Sequence, residues 1–275
     1  MDRVIVKSKN FDVRQIASSG QCFRMNPNPS KPDTYTLIAY GKYLELMQKP
    51  GSDTIEIFGI SERAFVEKWA AYFDLGTDYG SIIQSIDSED IYLVSAAQKG
   101  SGIRILHQDL WETMVSFIIS QQNNIPRIKK SIEMLCRSCG ERKISENGVE
   151  YWTFPTPEEL LDEDKLKSAR LGYRERYILL LAKQVVDGEI VLSDLKTKEQ
   201  LLQIYGIGEK VANCIMLFGL HELSCFPVDV WMRRIIQEHY QDNFPIGKYR
   251  EYAGVIQQYM FNAAIHSRSK KIKGK

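Results

Sequence analysis

The chain has 275 residues, 44% of them hydrophobic and 26% charged, and its formal net charge is +1 at pH 7. This length allows one large core or two modest cores, and we expect two. Because no run of about 18 apolar residues occurs and the first residues do not resemble a signal peptide, we expect a soluble protein with no membrane partner.

The charge and the cysteines exclude several classes of protein. The first 100 residues carry a net charge of −2 and the remainder +3, which excludes a strongly basic nucleic-acid binder and places any DNA affinity in the second part. Cys136 and Cys139 lack the second ligand pair of a zinc site, and no cysteine follows Cys225 to complete an iron–sulfur cluster, so we expect no metal and no cofactor. The odd, scattered set indicates a reducing compartment without structural disulfides. The five cysteines are Cys22, Cys136, Cys139, Cys214 and Cys225.

Residues 1–100 are predicted to form a small sheet-plus-helix domain. Residues 1–60 read as strands, with antiparallel hairpins over 35–40, 43–47 and 54–59. Ser61 then caps a helix whose aromatic residues recur at helical spacing and cover one face of the sheet. These aromatic residues are Phe65, Trp69, Tyr72 and Phe73.

Residues 101–267 are predicted to form an all-α domain, which makes the fold class α+β. One apolar stripe is Leu106, Leu110, Met114 and Phe117; a second is Ile128, Ile132, Leu135 and Cys139, closed by Gly140. Six further helices are predicted. A short one begins at Thr156, another follows a capping box at 197–200, and the other four span 174–186, 209–220, 230–240 and about 248–264. Residues 268–275 carry five positive charges and are predicted to be a disordered basic tail.

A glycine-rich turn separates two of these helices, with the sequence Gly206-Ile207-Gly208-Glu209-Lys210. Two glycines one residue apart permit a tight turn with positive φ and no projecting side chain. Successive backbone N–H groups can then face a phosphate oxygen. We therefore predict that the backbone of Gly206, Gly208 and Val211 contacts a DNA phosphate.

Lys210 and Asp229 are the candidate catalytic residues. Lys210 falls in the first turn of a helix, where the dipole disfavours an ammonium and favours a nucleophilic amine. Asp229 stands where the next helix begins, so it is both an N-cap and a candidate partner of that amine. Each feature also occurs without catalysis, because many lysines are solvated and many aspartates only cap a helix.

Together these features resemble the helix-hairpin-helix DNA glycosylases, and specifically the 8-oxoguanine DNA glycosylase/AP lyase family. The resemblance covers nearly the whole chain, and the order and spacing of its motifs are specific. Five blocks carry it: residues 19–24, 117–127, 171–177, the hairpin with 227–230, and 252–261.

The resemblance implies base-excision chemistry on an extruded nucleotide, since the sugar carbon cannot be reached inside the stack. Lys210 would attack C1′, expel the base and form a Schiff base, and elimination of the 3′ phosphate would nick the strand. Asp229 would stabilise the positive charge that develops on the sugar.

The resemblance also implies how the base is chosen. A carbonyl oxygen at Gly20 would accept a hydrogen bond from N7–H of 8-oxoguanine, whereas guanine presents a lone pair there. Cys214 and Phe261 would enclose the extruded base, and Gln257 would bond its Watson–Crick edge. Without the family, Cys214 and Phe261 would be read as core residues.

A third set matches positions that fill the gap in the duplex and read the orphaned cytosine: Gln122, Asn124, Arg127, Tyr173 and Arg174. Outside this family, Arg127 with Lys129 and Lys130 would be read as a solvated face. Two departures stand out. Gln122 replaces the first of three usual asparagines, and Trp231 stands where relatives often have a phosphate-binding histidine.

Two alternatives remain at this point. Another glycosylase of the superfamily is one, although endonuclease III and adenine glycosylases usually need the cluster that this chain cannot build, and alkylbase glycosylases lack the lysine. The other is a non-catalytic module that only grips DNA. The predicted partner is double-stranded DNA containing oxidised guanine, bound by a monomer in the cytoplasm or nucleoid of a bacterium or archaeon, or in a eukaryotic nucleus.

Overall fold

The computed structural model describes residues 2–273, with side chains described through Ile265. A five-stranded antiparallel sheet opens the fold, in the order β1-β5-β4-β3-β2. Its strands are β1 (Arg3–Lys7), β2 (Met25–Pro27), β3 (Thr34–Ala39), β4 (Lys42–Met47) and β5 (Thr54–Phe58). The three strands predicted at 35–40, 43–47 and 54–59 are confirmed as β3, β4 and β5.

Thirteen α-helical segments lie within the described residues. They are α1 (Val13–Ser18), α2 (Glu62–Ala64), α3 (Ala70–Tyr72), α4 (Tyr79–Gln84), α5 (Ile91–Lys99), α6 (Leu110–Ile119), α7 (Ile125–Cys139), α8 (Glu163–Ser168), α9 (Arg174–Val186), α10 (Lys198–Leu202), α11 (Glu209–Phe218), α12 (Val230–Tyr240) and α13 (Ala253–Lys273). A π-helical turn, Phe65–Trp69, joins α2 to α3, and 3₁₀ turns occupy Glu159–Leu161, Leu192–Asp194 and Ile246–Tyr252.

Local capping signals fix several helix starts. Ser61 accepts a bond from the Ala64 N–H, and the predicted capping box of Thr197 and Gln200 is present. Residues 174–186 and 230–240 form helices with the predicted bounds. The prediction that residues 1–60 contain only strands is wrong, because Asp12 caps the short helix α1.

The second core draws buried residues from both sides of position 100. Helices α4 and α5 contribute buried residues to the second core, and α5 packs against α13. Leu106, predicted to begin the α6 stripe, lies before that helix and packs in the first core with the sheet. The connecting segment, residues 100–109 between α5 and α6, therefore passes between the two cores. Arg104 within it donates to the carbonyls of Asp74 and Lys9 at 2.7 and 2.9 Å.

The second domain also carries a strand pair that the sequence did not predict. Strands β6 (Arg142–Ile144) and β7 (Glu150–Trp152) form a small antiparallel hairpin after α7. Gly140 ends α7 as predicted, and it must be glycine because a Cβ there would lie 2.2 Å from the Thr153 carbonyl oxygen.

Helix α13 continues through Lys273, where the sequence predicted a disordered tail from residue 268. Residues 274 and 275 and the side chains from 266 onward lie outside the described residues. Within the part of the chain that is described, no helix combines the length and apolar character needed to cross a bilayer.

Candidate active site

The glycine turn between α10 and α11 has the predicted shape, and its two glycines do different things. Gly206 has φ +92°, and a Cβ there would lie 2.6 Å from Cγ of Tyr177. Backbone conformation and packing therefore both require glycine. Gly208 has an ordinary φ of −99°, and a Cβ there would meet no atom of the described protein within 4 Å.

The start of α11 can act as an anion site. Gly208 caps this ten-residue helix without a side-chain hydrogen bond, so the first-turn amides, including that of Val211, receive no side-chain acceptor from the cap. Such amides point along the helix axis at the positive end of its dipole. The open space beside Gly208 lets a phosphate approach them closely.

Lys210 lies half-buried in the first turn of α11. Its Nζ donates a hydrogen bond to Ser120 Oγ at 3.3 Å and lies 5.2 Å from the centroid of the Phe117 ring. The Ser120 hydroxyl donates its own hydrogen to the Phe117 carbonyl at 2.7 Å, so its oxygen is available to accept from the lysine. The contacts from α6 thus fix the position of the amine beside an apolar wall.

Asp229 caps α12, as predicted. One carboxylate oxygen accepts a bond from the Met232 N–H at 2.8 Å. No ion pair within 4.0 Å joins Lys210 to Asp229 in the described residues, so the predicted partnership is not a direct bond. Both charges nevertheless act on a third residue, Cys214, which is buried on α11.

The charges of Lys210 and Asp229 both influence the pKa of the Cys214 thiol. Burial raises the pKa of this thiol, and the negative Asp229 carboxylate raises it further. The Lys210 ammonium opposes this, through its charge and a hydrogen bond to the sulfur, and lowers the pKa. Lys210 and Cys214 lie one turn apart on α11, and Asp229 stands at the start of α12.

Gly20 and Phe261 come together from opposite ends of the sequence. Gly20 has φ +78°, and a Cβ there would lie 3.2 Å from the Phe261 ring and 3.1 Å from Ile125 Cδ1. Gln21, next to it, is buried and donates to the Arg104 carbonyl at 2.8 Å. The connecting segment between the two cores therefore fixes the loop that carries Gly20.

Gln257 is buried on α13, the helix that also carries Phe261. Its Oε1 accepts a hydrogen bond from Gln258 Nε2 at 3.0 Å. The two predicted base-recognition residues of α13 thus lie one helical turn apart.

The residues predicted to act in the duplex gap lie in two stretches of chain, one from the loop after α6 into the first turn of α7 and one at the start of α9. Asn124 caps α7 by accepting from the Arg127 N–H at 3.1 Å, and Gln122 has a left-handed φ of +48°. The Arg127 side chain is exposed. Tyr173 is 46% exposed, which suits a side chain that enters a duplex.

Arg174 was expected to contact the orphaned cytosine, but its guanidinium is hydrogen-bonded to backbone carbonyls of the protein. Its Nε donates to the Gln121 carbonyl at 3.0 Å, and Nη1 donates to the Leu171 carbonyl at 3.2 Å. The guanidinium therefore joins the loop after α6 to the loop before α9. In this conformation Arg174 shapes the surface on which Tyr173 stands.

The sequence assigned no role to several residues that organise the site. Gln121 donates to the Gly206 carbonyl at 2.9 Å and so links the gap-filling loop to the glycine turn. Tyr177 supports that turn, Ser120 positions Lys210, and Ile125 lies against Gly20. All four residues lie inside the blocks 117–127 and 171–177 that carry the family resemblance, and this is the only signal in the sequence that could have indicated them.

Lys129 is not part of a solvated face. It is half-buried, and its ammonium donates to the Met25 carbonyl at 2.8 Å and to Asn26 Oδ1 at 3.0 Å. Burial lowers the pKa of Lys129. Lys130, its neighbour, is exposed.

A surface cavity of about 670 Å³ lies elsewhere, in the first domain, between α1 and the loops around residues 28–35 and 48–53. None of its lining residues is a predicted site residue. Among the described side chains, no group of three or more His, Cys, Asp or Glu is placed to hold a metal ion.

Known proteins match this architecture along most of the chain. Residues 3–114 match the 8-oxoguanine DNA glycosylase N-terminal domain, and residues 115–247 match the HhH-GPD superfamily of base excision DNA repair proteins. A probable N-glycosylase/DNA lyase of Methanothermobacter thermautotrophicus is 31% identical over 76% of this chain and 77% of its own length. The chain belongs to the 8-oxoguanine DNA glycosylase family.

Two further relatives bear on this glycosylase. The N-glycosylase/DNA lyase of Saccharomyces cerevisiae is 39% identical over 51% of this chain, a match that spans 42% of the yeast protein. The 8-oxoguanine glycosylase/lyase of Clostridium acetobutylicum, solved with double-stranded DNA containing cytosine opposite 8-oxoG, is 34% identical with a TM-score of 0.89, over 97% of this chain and 96% of that one. The protein is thus a bifunctional DNA glycosylase and lyase of the helix-hairpin-helix fold.

Proposed function

We propose that this enzyme excises 8-oxoguanine from double-stranded DNA through a Schiff base on Lys210, and then nicks the strand. One observation carries the proposal: the Lys210 amine is held by Ser120 and lies 5.2 Å from the Phe117 ring centroid, and the charges of Lys210 and Asp229 both influence the pKa of the buried Cys214 thiol. The bond to Ser120 fixes the amine in the first turn of α11, where it can act as a nucleophile toward the sugar.

The proposed chemistry proceeds in three steps. The neutral amine of Lys210 attacks C1′ of the extruded nucleotide, the N-glycosidic bond breaks, and the base leaves with the bonding electrons and is protonated. Loss of a proton from nitrogen and opening of the sugar give a Schiff base. Removal of a proton from C2′ then expels the 3′ phosphate, and hydrolysis releases Lys210.

Asp229 acts by charge in this scheme. Positive charge develops on the sugar as the base departs, and a nearby carboxylate lowers the energy of that transition state. The capping bond to the Met232 N–H fixes the carboxylate, so it need not reorganise during the reaction. Its second oxygen is available to move protons.

Base selection is assigned to the pocket of Gly20, Cys214, Gln257 and Phe261. Supporting this, Gly20 lies against Phe261, with Gln257 one turn away on the same helix. A carbonyl acceptor opposite N7–H of 8-oxoguanine is worth on the order of 1–3 kcal/mol against guanine, whose N7 leaves that acceptor unpaired. Phosphate contacts are assigned to the turn of Gly206, Gly208 and Val211.

Opposite-base selection is assigned to Arg127, with Gln122, Asn124 and Tyr173 occupying the gap. The exposed guanidinium of Arg127 can donate two bonds to a single base. Arg174 positions this surface through the Gln121 carbonyl and becomes a second reader of cytosine only if those bonds open.

The test is a single-turnover assay on duplexes with 8-oxoguanine opposite each of the four bases, with an undamaged duplex as control. Free base and strand nicks are measured separately. The proposal predicts release of 8-oxoguanine followed by nicking, fastest opposite cytosine. Equal rates opposite all four bases would remove the assignment of Arg127, and absence of release from every duplex would remove the proposed substrate.

A further inference from the structure

The Lys129 ammonium donates three hydrogen bonds, and all three acceptors lie at the ends of one loop of the first domain. The acceptors are the Met25 carbonyl at 2.8 Å, Asn26 Oδ1 at 3.0 Å and the Ala17 carbonyl at 3.5 Å. Ala17 and Met25 are buried, and desolvation of a cation at such a place is costly unless its donors are satisfied. A lysine bonded in this way is not a solubility residue.

The three acceptors lie at the two ends of the loop that carries Gly20. Ala17 stands in the last turn of α1, and Met25 begins β2. The loop between them must hold Gly20 in a left-handed conformation at φ +78°. Lys129 therefore closes the loop at its base, as a single cation shared by both ends.

The same helix touches the tip of that loop. Ile125, the first residue of α7, lies four residues before Lys129 and hence on the same face, and its Cδ1 is 3.1 Å from where a Cβ of Gly20 would stand. Helix α7 thus contacts the loop at both its base and its tip. It also begins at Asn124 and carries Arg127, the residues assigned to the opposite strand.

We propose that Lys129 is a specificity-determining positioning residue that sets the place of Gly20 in the lesion pocket and joins it to the helix that reads the opposite base. This inference rests on the proposed function, because it concerns the discrimination that Gly20 provides. A hydrogen bond to N7–H weakens when the donor–acceptor distance exceeds about 3.2 Å, and it weakens steeply when its angle falls below about 120°. Removing the cation frees both ends of the loop and allows such a shift.

The experiment compares Lys129→Met with Lys130→Met. Methionine keeps most of the apolar stem and removes the donors, whereas Lys130 is the exposed neighbour on the same helix and of the same charge. Lys129→Met is expected to slow single-turnover release of 8-oxoguanine about tenfold, as misplacement of a recognition group does. Nicking of a preformed abasic site, which needs no base recognition, is expected to stay within about twofold.

A binding measurement isolates specificity from catalysis. In the Lys210→Gln background, the preference for an 8-oxoguanine duplex over a guanine duplex should fall about tenfold on adding Lys129→Met and stay unchanged on adding Lys130→Met. Asn26→Ala, which removes one acceptor, should shift the preference in the same direction by a smaller factor. Combined with Lys129→Met, it should add little, because the two residues share one interaction.

The outcomes separate this inference from the function on which it rests. Failure of the wild-type enzyme to release 8-oxoguanine would overturn the proposed function itself. A wild-type enzyme that releases it, with a Lys129→Met variant that keeps full preference for the lesion, would overturn only the role of Lys129. Equal losses of base release and nicking with unchanged preference would also overturn it, since they indicate a folding defect. If Lys129→Met does not fold, an unchanged preference in Asn26→Ala would decide against the proposal.

Discussion

Gln122 adopts a backbone conformation that glutamine rarely takes. Its φ of +48° lies in the left-handed region, where asparagine is enriched several-fold over most other residues. We expect Gln122→Asn to raise the free energy of unfolding by about 0.5 kcal/mol and to retain base excision. Denaturant unfolding and single-turnover assays measure both, and a less stable variant would show that the longer side chain makes a compensating contact.

Substitution of Phe261 tests base recognition separately from the chemistry at the sugar. The ring lies against Gly20, whereas Lys210 is on a different helix and is held by Ser120. Phe261→Ala should reduce release of 8-oxoguanine by about tenfold or more, while nicking of a preformed abasic duplex changes little. The two rates are measured on the same preparation. Parallel losses in both would mean that the substitution disturbs the core and not the pocket alone.

At the residue scale, motif and spacing predicted some placements but not the contacts. Gly20 is far in sequence from Gln257 and Phe261, and only the family resemblance put the three in one pocket. Lys129 received no role from the sequence and entered only as a neighbour of Arg127. Nothing local could indicate one, because its acceptors are more than 100 residues away in the chain.

The glycine turn is the element to which we assign the phosphate contacts, and its two glycines form a matched pair for testing. Gly206→Ala forces an alanine to φ +92° and drives its Cβ into Tyr177, so the free energy of unfolding should fall by about 1–3 kcal/mol. Gly208→Ala meets no protein atom, and its φ is ordinary for alanine. Its stability should be unchanged within about 0.5 kcal/mol.

The DNA affinity of Gly208→Ala tests whether position 208 needs glycine to let a phosphate approach. A methyl group at this position obstructs the approach of a phosphate to the amides of α11, so we expect Gly208→Ala to bind duplex DNA about tenfold more weakly. Binding is measured by anisotropy at fixed salt, because phosphate contacts depend strongly on salt. Affinity equal to that of the wild type would show that the turn does not grip the backbone.

Elements with strong end signals were predictable, and short ones were not. Residues 174–186 and 230–240 were predicted to the residue because their apolar period is long and their ends are marked by Gly188 and Asp229. Helix α1, with six residues, and the strand pair β6–β7 have too few residues for a period to be recognised. Helix α5 precedes the connecting segment but packs on α13, a long-range contact that leaves no local signal.

Across the whole molecule, an ion pair joins the two domains beside the connecting segment. His221, after α11, lies 3.4 Å from the Asp74 carboxylate, after α3, and stacks on His107 with ring centroids 5.0 Å apart. Burial alone would lower the pKa of His221, but the hydrogen bond and charge of Asp74 raise it above its ordinary value. Burial likewise opposes ionisation of Asp74, yet hydrogen bonds from His221, Tyr79 and Thr77 lower its pKa.

The signs of these shifts define a pH window. A raised histidine pKa contributes stability that is complete below about pH 6.5 and is lost as the pH rises through the folded pKa. A lowered aspartate pKa contributes stability above about pH 4 that is lost on acidification. Burial and the charge of His221 lower the pKa of His107, so its protonation opposes folding as the pH falls and partly offsets the pair.

We therefore expect His221→Gln to cost more stability at pH 5.5 than at pH 8.5, with a difference on the order of 1 kcal/mol. Denaturant unfolding at the two pH values gives the free energies, and His107→Gln serves as a control in which the opposite trend is expected. A cost for His221→Gln that is the same at both pH values would show that folding does not raise the pKa of His221.

The central claim is that the Lys210 amine forms the covalent bond to the sugar. It is tested most directly by incubating the enzyme with an 8-oxoguanine:cytosine duplex and sodium borohydride, which reduces a Schiff base to a permanent crosslink, and by locating the crosslinked residue by peptide mass spectrometry. The account predicts a crosslink on Lys210 that is absent from Lys210→Gln and retained in Lys130→Met. A crosslink on another residue, or one that persists in Lys210→Gln, would contradict it.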